Sequence, residues 1–362
     1  MDGTRRRARE LGLEFGRYPP GPHNAITDVA GVRVGHVTVT EGDRIRTGVT
    51  AIVPDAVDRA GGELAAGLFV GNGYGKLIGA TQLAELGAIE TPIVLTGTLS
   101  AFRAADALVT YLLRMPGNEQ MISVNPVVGE TNDGYLSDIR ARPITRQHVV
   151  AALSGAVSGP VAEGAVGAGT GTSALGFKAG IGTASRMLTL AAGEPGTVGA
   201  LVQANFSGVL TVRGVPVGVP EQTHDRWEGA AGRSPAAPDQ QQAGDPPDGN
   251  SCMIVVATDQ GLDSRQLTRV ARRAVFAMGR TGADFAHGSG DYAIAFATGT
   301  AHGVADTALD RIFAAVQDAV EEAILNSVFM ATSTTGYLGR VRHAVPLDLV
   351  TRACRAAGVI GG

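Results

Sequence analysis

A polar stretch from Glu221 to Asn250, EQTHDRWEGAAGRSPAAPDQQQAGDPPDGN, runs directly into SCMIVVATD, and this junction constrains the chain more than any other feature. The stretch is rich in Pro, Gly, Ala, Gln and Asp, with too few large apolar side chains to offset the entropy of ordering it. It reads as a long loop. The residues that follow are β-branched and apolar enough to form a central strand. A loop of about thirty residues inside a compact domain calls for a function. The reading that follows is a cut between Asn250 and Ser251, which leaves Ser251 at the head of a rigid strand with a free α-amine beside its hydroxyl. Such a serine is a nucleophile that carries its own base.

The 362 residues suffice for a sizeable core, and 44% hydrophobic with 18% charged residues is the balance of a soluble globular protein. A formal net charge of −4 lacks the basic excess of a nucleic-acid footprint. Cys252 and Cys354 have neither metal nor redox spacing, so no disulfide framework is expected. The first residues, MDGTRRRARELGLEF, lack the apolar core of a signal peptide, and no apolar run reaches membrane-spanning length. The expected setting is the cytoplasm, with no membrane partner. Fifty-one glycines point to tight turns and backbone approaching backbone or ligand.

Along the chain, VAGVRVGHVTV from Val29 and VTAIVP from Val49 alternate as strands, and PIVLT lies between helical patterns starting at Lys76 and Arg103. A helix is expected near Thr145 to Leu153, then a glycine-rich region from Gly164 to Gly182, then two strands, TVGALVQAN and GVLTVRG. Beyond Ser251, Leu267, Val270, Ala271, Ala274, Val275 and Met278 share one face of a helix capped by Ser264. A strand starts at Tyr292, and a second long helix carries Leu309, Ile312, Phe313, Val316, Val320 and Ile324. The strand at Ser251 needs partners from the first segment, so residues 1–362 form one intertwined α/β domain, two sheets face to face with helices outside.

Four segments carry candidate chemistry. A serine hydroxyl needs a base, and an α-amine with an unperturbed pKa of about 7.7 to 8.0 supplies one to Ser251 near neutral pH. Cys252 is intrinsically more nucleophilic, but alternation turns it to the opposite face. In HGSGDYAIAF, Ser289 and Asp291 project on one side and form a possible relay, with His287 as an alternative base. In GETNDGYLSD, Glu130 suits a cationic amine and Asn132, Asp133 or Tyr135 a pocket lining; turn chemistry explains the segment equally well. Asn205 in QANFSG can donate to an oxyanion or close an Asx turn. GNGYGKL lacks phosphate-loop spacing, GAGTGTSALG lacks dinucleotide spacing, no GxSxG elbow occurs, and no histidines pair as metal ligands. No metal or nucleotide cofactor is expected.

ITDVAGVRVGH, GLFVGNGYGKL, TPIVLTGT, NPVVGETNDGYLSD, QANFSG, NSCMIVVATD, HGSGDYAIAF and NSVFMATSTTG, in this order, resemble the self-cleaving DmpA-type aminopeptidases of peptidase family S58. That group includes β-peptidyl aminopeptidases and D-stereospecific esterase/amidases. The resemblance implies a four-layer αββα sandwich similar to N-terminal nucleophile hydrolases, an α chain of residues 1–250, a β chain of residues 251–362, and a processing loop at 221–250. It also implies a homotetramer of αβ pairs. By the same resemblance Ser251 serves self-cleavage and hydrolysis, Ser289 and Asp291 support it, Asn205 forms the oxyanion site, Glu130 anchors the substrate amine, and Tyr135 is a further acid or oxyanion donor. The expected substrates are short peptides, amino-acid amides or esters. The chain departs from the pattern in having Asp291 where family members can carry Glu, Lys76 where an acid is expected, and a less polar TGTLSA. Alternatives at this stage are an endo-acting oligoamide hydrolase or an acyltransferase of the same fold, and an uncleaved non-catalytic scaffold.

Overall fold

The alternation in VRVGHVTVTE and IRTGVTAIVP produces a hairpin of β1 (Val32–Glu41) and β2 (Ile45–Pro54) in a computed structural model describing residues 3–190, 193–217 and 251–361. The expected loop at 221–250, Asn250 included, lies outside the described residues. The remaining principal strands are β3 (Leu64–Gly73), β4 (Ala88–Ile89), β5 (Ile93–Gly97), β6 (Val127–Thr131), β7 (Ile181–Thr189), β8 (Pro195–Asn205), β9 (Ser251–Thr258) and β10 (Gly290–Ala297). The helices are α1 (Ala80–Leu86), α2 (Ala101–Leu113), α3 (Arg146–Ser154), α4 (Ser264–Arg280), α5 (Asp306–Phe329) and α6 (Leu347–Ala356). Among the described residues no helix is long and apolar enough to cross a membrane.

The strands form a four-stranded sheet in the order β1-β2-β5-β6 and a six-stranded sheet in the order β4-β3-β10-β9-β8-β7. Among the described strands only β5–β6 and β9–β10 run parallel. Strand parity then builds three apolar layers. Met253, Val255, Ile294 and Phe296 meet Ile52, Ile93, Leu95 and Val127 between the sheets. Cys252, Ile254, Val256, Ala293 and Ala295 face away, into a core shared with Leu267, Val270 and Ala274 of α4 and Leu309, Ile312 and Val316 of α5. On the far side Val49, Ala51 and Val94 pack with Ala104 and Leu108 of α2 and Val149 of α3. The result is the expected helix-sheet-sheet-helix sandwich, with β9 flanked by β8 from the first segment. Burying apolar side chains on both faces of β9 explains why its sequence is continuous rather than alternating.

Three local expectations change. The cap of α4 is Asp263, whose carboxylate accepts the Gln266 N–H; Ser264 is the first helical residue. In GVLTVRG only Thr211–Val212 is strand, and it pairs with Val215–Pro216 in a separate two-stranded hairpin rather than joining either main sheet. The strand at Tyr292 begins two residues earlier, at Gly290. Glycine density has a direct cause in β7, where a Cβ on Gly182 would stand 1.9 Å from the Ala323 carbonyl of α5.

Charge is also buried at this sheet-helix contact. Arg186 of β7 is wholly buried and donates to Glu322 at 2.7 Å and to the Asp318 carbonyl of α5 at 2.9 Å. Glu322 also accepts from Arg9 Nε at 3.0 Å and from Asn24 Nδ2 at 2.6 Å, so the N-terminal segment, β7 and α5 share one carboxylate. Removing it leaves a buried guanidinium uncompensated. Glu322→Ala is therefore expected to cost about 3–5 kcal/mol in denaturant unfolding; an unchanged midpoint and slope would show that the network contributes nothing.

Candidate active site

Backbone pairing brings three strand ends together. Ser251, the first residue of β9, is paired with Asn205, the last of β8, and with Gly290, the first of β10. Ser251 is 3% exposed, Asn205 1% and Ser289 2%, while Asp291 is fully buried. Parity sends Ser251 to the inter-sheet side with Met253, and Cys252 to the helix side, as expected from alternation.

Ser289 Oγ donates to Asp291 Oδ1 at 2.8 Å, so these two do share a side. Asp291 is paired with Cys252, and its charge adds to the burial that holds the Cys252 thiol well above its ordinary pKa. By parity the Ser289–Asp291 pair thus lies on the Cys252 face, opposite to the Ser251 side chain, beside the strand end that Ser251 opens. Burial pushes Asp291 up to about 6 against the Ser289 hydroxyl bond, and Oδ2 has no hydrogen-bond partner among the described residues. His287 is exposed, its ring 6.2 Å from that of Tyr74.

The Asn205 amide is held from two distant segments, which excludes the local Asx turn. Its Oδ1 accepts the Ser173 N–H at 3.1 Å, and its Nδ2 donates to the Asn132 carbonyl at 3.0 Å. An amide nitrogen carries two hydrogens, so one remains for a substrate oxygen. Ser173 was not singled out in the sequence; its only signal is the glycine-rich run GAGTGTSALG, which brings backbone close to backbone.

Glu130, near the end of β6, is 2% exposed and held at both oxygens. Oε1 accepts the Lys76 N–H at 2.8 Å and Oε2 accepts the Thr98 hydroxyl. The Lys76 loop reaches Glu130 because residue 290 is glycine: a Cβ there would lie 2.5 Å from Gly75 backbone atoms. The Tyr74 N–H to the Ser289 carbonyl, at 3.2 Å, and the Tyr292 hydroxyl to the Gly75 carbonyl, at 2.8 Å, tie this loop to β10. Burial pushes the neighbouring Asp133 up to about 7 against the Thr47 hydroxyl that donates to it, and Glu130 adds a smaller upward push. The Tyr135 ring lies beneath the guanidinium groups of Arg340 and Arg342, 5.4 and 3.8 Å from its centroid. The contact this loop makes with Asn205 is the Asn132 carbonyl.

The site thus combines a serine at a strand head, a carboxylate-bound hydroxyl, an oriented amide and a buried carboxylate from the facing sheet. Comparison with known proteins identifies the family and the fold. The model of peptidase family S58 matches residues 24–342. The β-peptidyl aminopeptidase BapA of Sphingosinicella xenopeptidilytica is 39% identical over 97% of this chain and 91% of its own length. The PH0078 protein from Pyrococcus horikoshii superposes with a TM-score of 0.86 at 42% identity over 98% of this chain and 99% of that one. The L-aminopeptidase D-Ala-esterase/amidase from Ochrobactrum anthropi, described as a serine aminopeptidase with a variant of the N-terminal nucleophile hydrolase fold, gives 0.86 at 36% identity over 98% and 99%.

The placement of Cys252 yields a check on the rival nucleophile. Its raised pKa keeps it a thiol at pH 8, so it should stay silent to a disulfide reagent in the native protein and titrate after unfolding. Cys252→Ala should turn over substrate within a few-fold of wild type; loss of activity with the fold intact would implicate the thiol.

Proposed function

This chain belongs to peptidase family S58 and is a hydrolase of the aminopeptidase type, and from that premise we propose how its residues divide the work. The chain cuts itself between Asn250 and Ser251, giving an α chain of residues 1–250 and a β chain of residues 251–362 that remain one domain. Ser251 then attacks as an N-terminal nucleophile. The observation that carries this reading is the register: Ser251 opens the strand flanked by Asn205 on one side and Gly290 on the other.

In this mechanism the free ammonium of the substrate pairs with Glu130, whose two oxygens are fixed by Lys76 N–H and Thr98 and still have lone pairs to offer. That pairing sets the distance from amine to scissile carbonyl and selects N-terminal residues. The Ser251 hydroxyl adds to the carbonyl as its proton passes to the α-amine. Asn205 Nδ2–H meets the oxyanion, and loss of the amine or alcohol leaves an ester on Ser251 that water hydrolyses. The Ser289–Asp291 pair, beside the strand end that Ser251 opens, orients that amine and accepts charge from it. Substrates of this reading are short peptides, amino-acid amides and esters with a free α- or β-amine, in keeping with the β-peptidyl and L-aminopeptidase activities named for the relatives. Exposed apolar side chains such as Phe102 and Phe276 suit a homo-oligomer, and we carry the tetramer of αβ pairs as part of the proposal.

Alanyl and β-alanyl p-nitroanilides should be hydrolysed while their N-acetyl forms are not, and Glu130→Gln should lower kcat/KM on the order of a hundredfold, the scale for unpairing a buried charge. Equal rates on acetylated substrates would refute the amine anchor. The pH profile tests the relay. An α-amine base gives an acid limb near its own pKa, and Asp291 gains its proton below about 6 and then no longer accepts charge. The limb should steepen to a two-proton slope below about pH 6 in wild type but not in Asp291→Asn; parallel profiles would remove Asp291 from the relay.

A further inference from the structure

The chain has two lysines, in opposite surroundings. Lys76 is exposed beside Glu130, whereas Lys178 is fully buried. A buried ammonium is costly without a counter-ion, yet among the described residues no carboxylate lies in ion-pair contact with Lys178. Its Nζ donates instead to two backbone carbonyls, Gly169 at 3.1 Å and Ala179. Burial pushes its pKa down to about 7. A neutral amine still has two N–H bonds, one for each carbonyl, so the contact survives loss of the charge.

Those carbonyls bracket one segment. The Thr172 hydroxyl also donates to the Gly169 carbonyl at 3.1 Å, and the Ala179 N–H returns to the Thr172 carbonyl at 3.4 Å. Between them Ser173–Ala174 pairs with Phe177–Lys178, with Ser173 opposite Lys178. The Leu175 N–H donates to the Phe206 carbonyl, and the Ala204 N–H donates to the Gly180 carbonyl, both at 2.9 Å. Residues 169–180 are therefore wrapped on the end of β8 and closed on themselves by the lysine. At the centre of the wrap the Ser173 N–H donates to Asn205 Oδ1. An asparagine amide turned over exchanges its donor for an acceptor at almost the same shape. The Ser173 N–H admits only the orientation that sends Nδ2 toward Asn132 and the substrate.

We propose that Lys178 is a positioning residue of the oxyanion site: by holding the Gly169 and Ala179 carbonyls it sets the Ser173 N–H, which keeps the Asn205 amide with its donor toward the substrate. The proposal rests on the assignment of Asn205 given above and acts on a step that Lys178 does not touch.

The test uses matured protein and a free-amine aminoacyl p-nitroanilide, with rates counted per cut chain as measured by intact mass. Lys178→Met keeps the length and removes the donors. It should lower kcat about ten- to a hundredfold, less than the hundred- to thousandfold scale for deleting an oxyanion donor outright, with KM within about twofold. Asn205→Ala and the double variant Lys178→Met/Asn205→Ala should be equally slow, because a residue acting through Asn205 has nothing left to act on. Wild-type kcat in Lys178→Met, or losses that multiply in the double variant, would overturn the proposal. Should Lys178→Met not fold or mature, Lys178→Gln, which retains an N–H₂ donor, enters the same cycle with a smaller predicted loss. An enzyme that needs Ser251 but keeps full kcat in Asn205→Ala would instead overturn the oxyanion assignment beneath it.

Discussion

The site depends on one ladder of backbone hydrogen bonds, the pairing of β9 with β8 on one side and β10 on the other. Side chains on strands have a period of two, so slipping β9 by one residue would exchange Ser251 for Cys252 on the inter-sheet side. The register is held by packing on both faces: Met253 and Val255 are buried between the sheets, and Ile254 and Val256 under α4 and α5. A strand so constrained presents its first residue at a fixed point. That is the requirement for a nucleophile that carries its base on its own backbone.

Around that point the polar groups are buried and divided by face. Asn205 and Ser251 are register partners at the sheet end, and Glu130 reaches the site from the facing sheet, fixed by Lys76 N–H and Thr98. Ser289 and Asp291 share the parity of Cys252 and flank the strand end that Ser251 opens. Asn205, Glu130 and Ser289 each have hydrogen bonds that fix their direction, whereas Asp291 Oδ2 has none among the described residues. Burial in a low-dielectric setting disfavours the charged carboxylate, which is why Asp291 is pushed up to about 6 against the Ser289 hydroxyl bond.

Much of this was legible in the chain. The sandwich followed from period-two and period-3.6 patterns, and Ser251, Ser289, Asp291, Asn205 and Glu130 stood out because each sits at a turn beside an apolar run. The face of the Ser289–Asp291 pair was not legible, since spacing shows that two residues share a side and not which neighbour shares it with them. The partners of Asn205 were hidden for a different reason. Ser173 N–H and the Asn132 carbonyl are backbone groups, 32 and 73 residues away, and backbone leaves no trace in side-chain chemistry. The glycine-rich run from Gly164 to Gly182 was the one available signal, and it indicated close approach without indicating to what. GVLTVRG holds only the two-residue strand Thr211–Val212; β-propensity does not distinguish a short separate hairpin from a strand of a main sheet.

The central claim is that a bond before Ser251 is broken by Ser251 itself. The direct measurement is the intact mass, under denaturing conditions, of the purified recombinant protein and of Ser251→Ala. The account predicts two fragments for the wild-type chain, the smaller beginning at Ser251, and one full-length chain for the variant. A wild-type chain that stays whole while hydrolysing aminoacyl substrates, or a Ser251→Ala chain cut at the same bond, would contradict it.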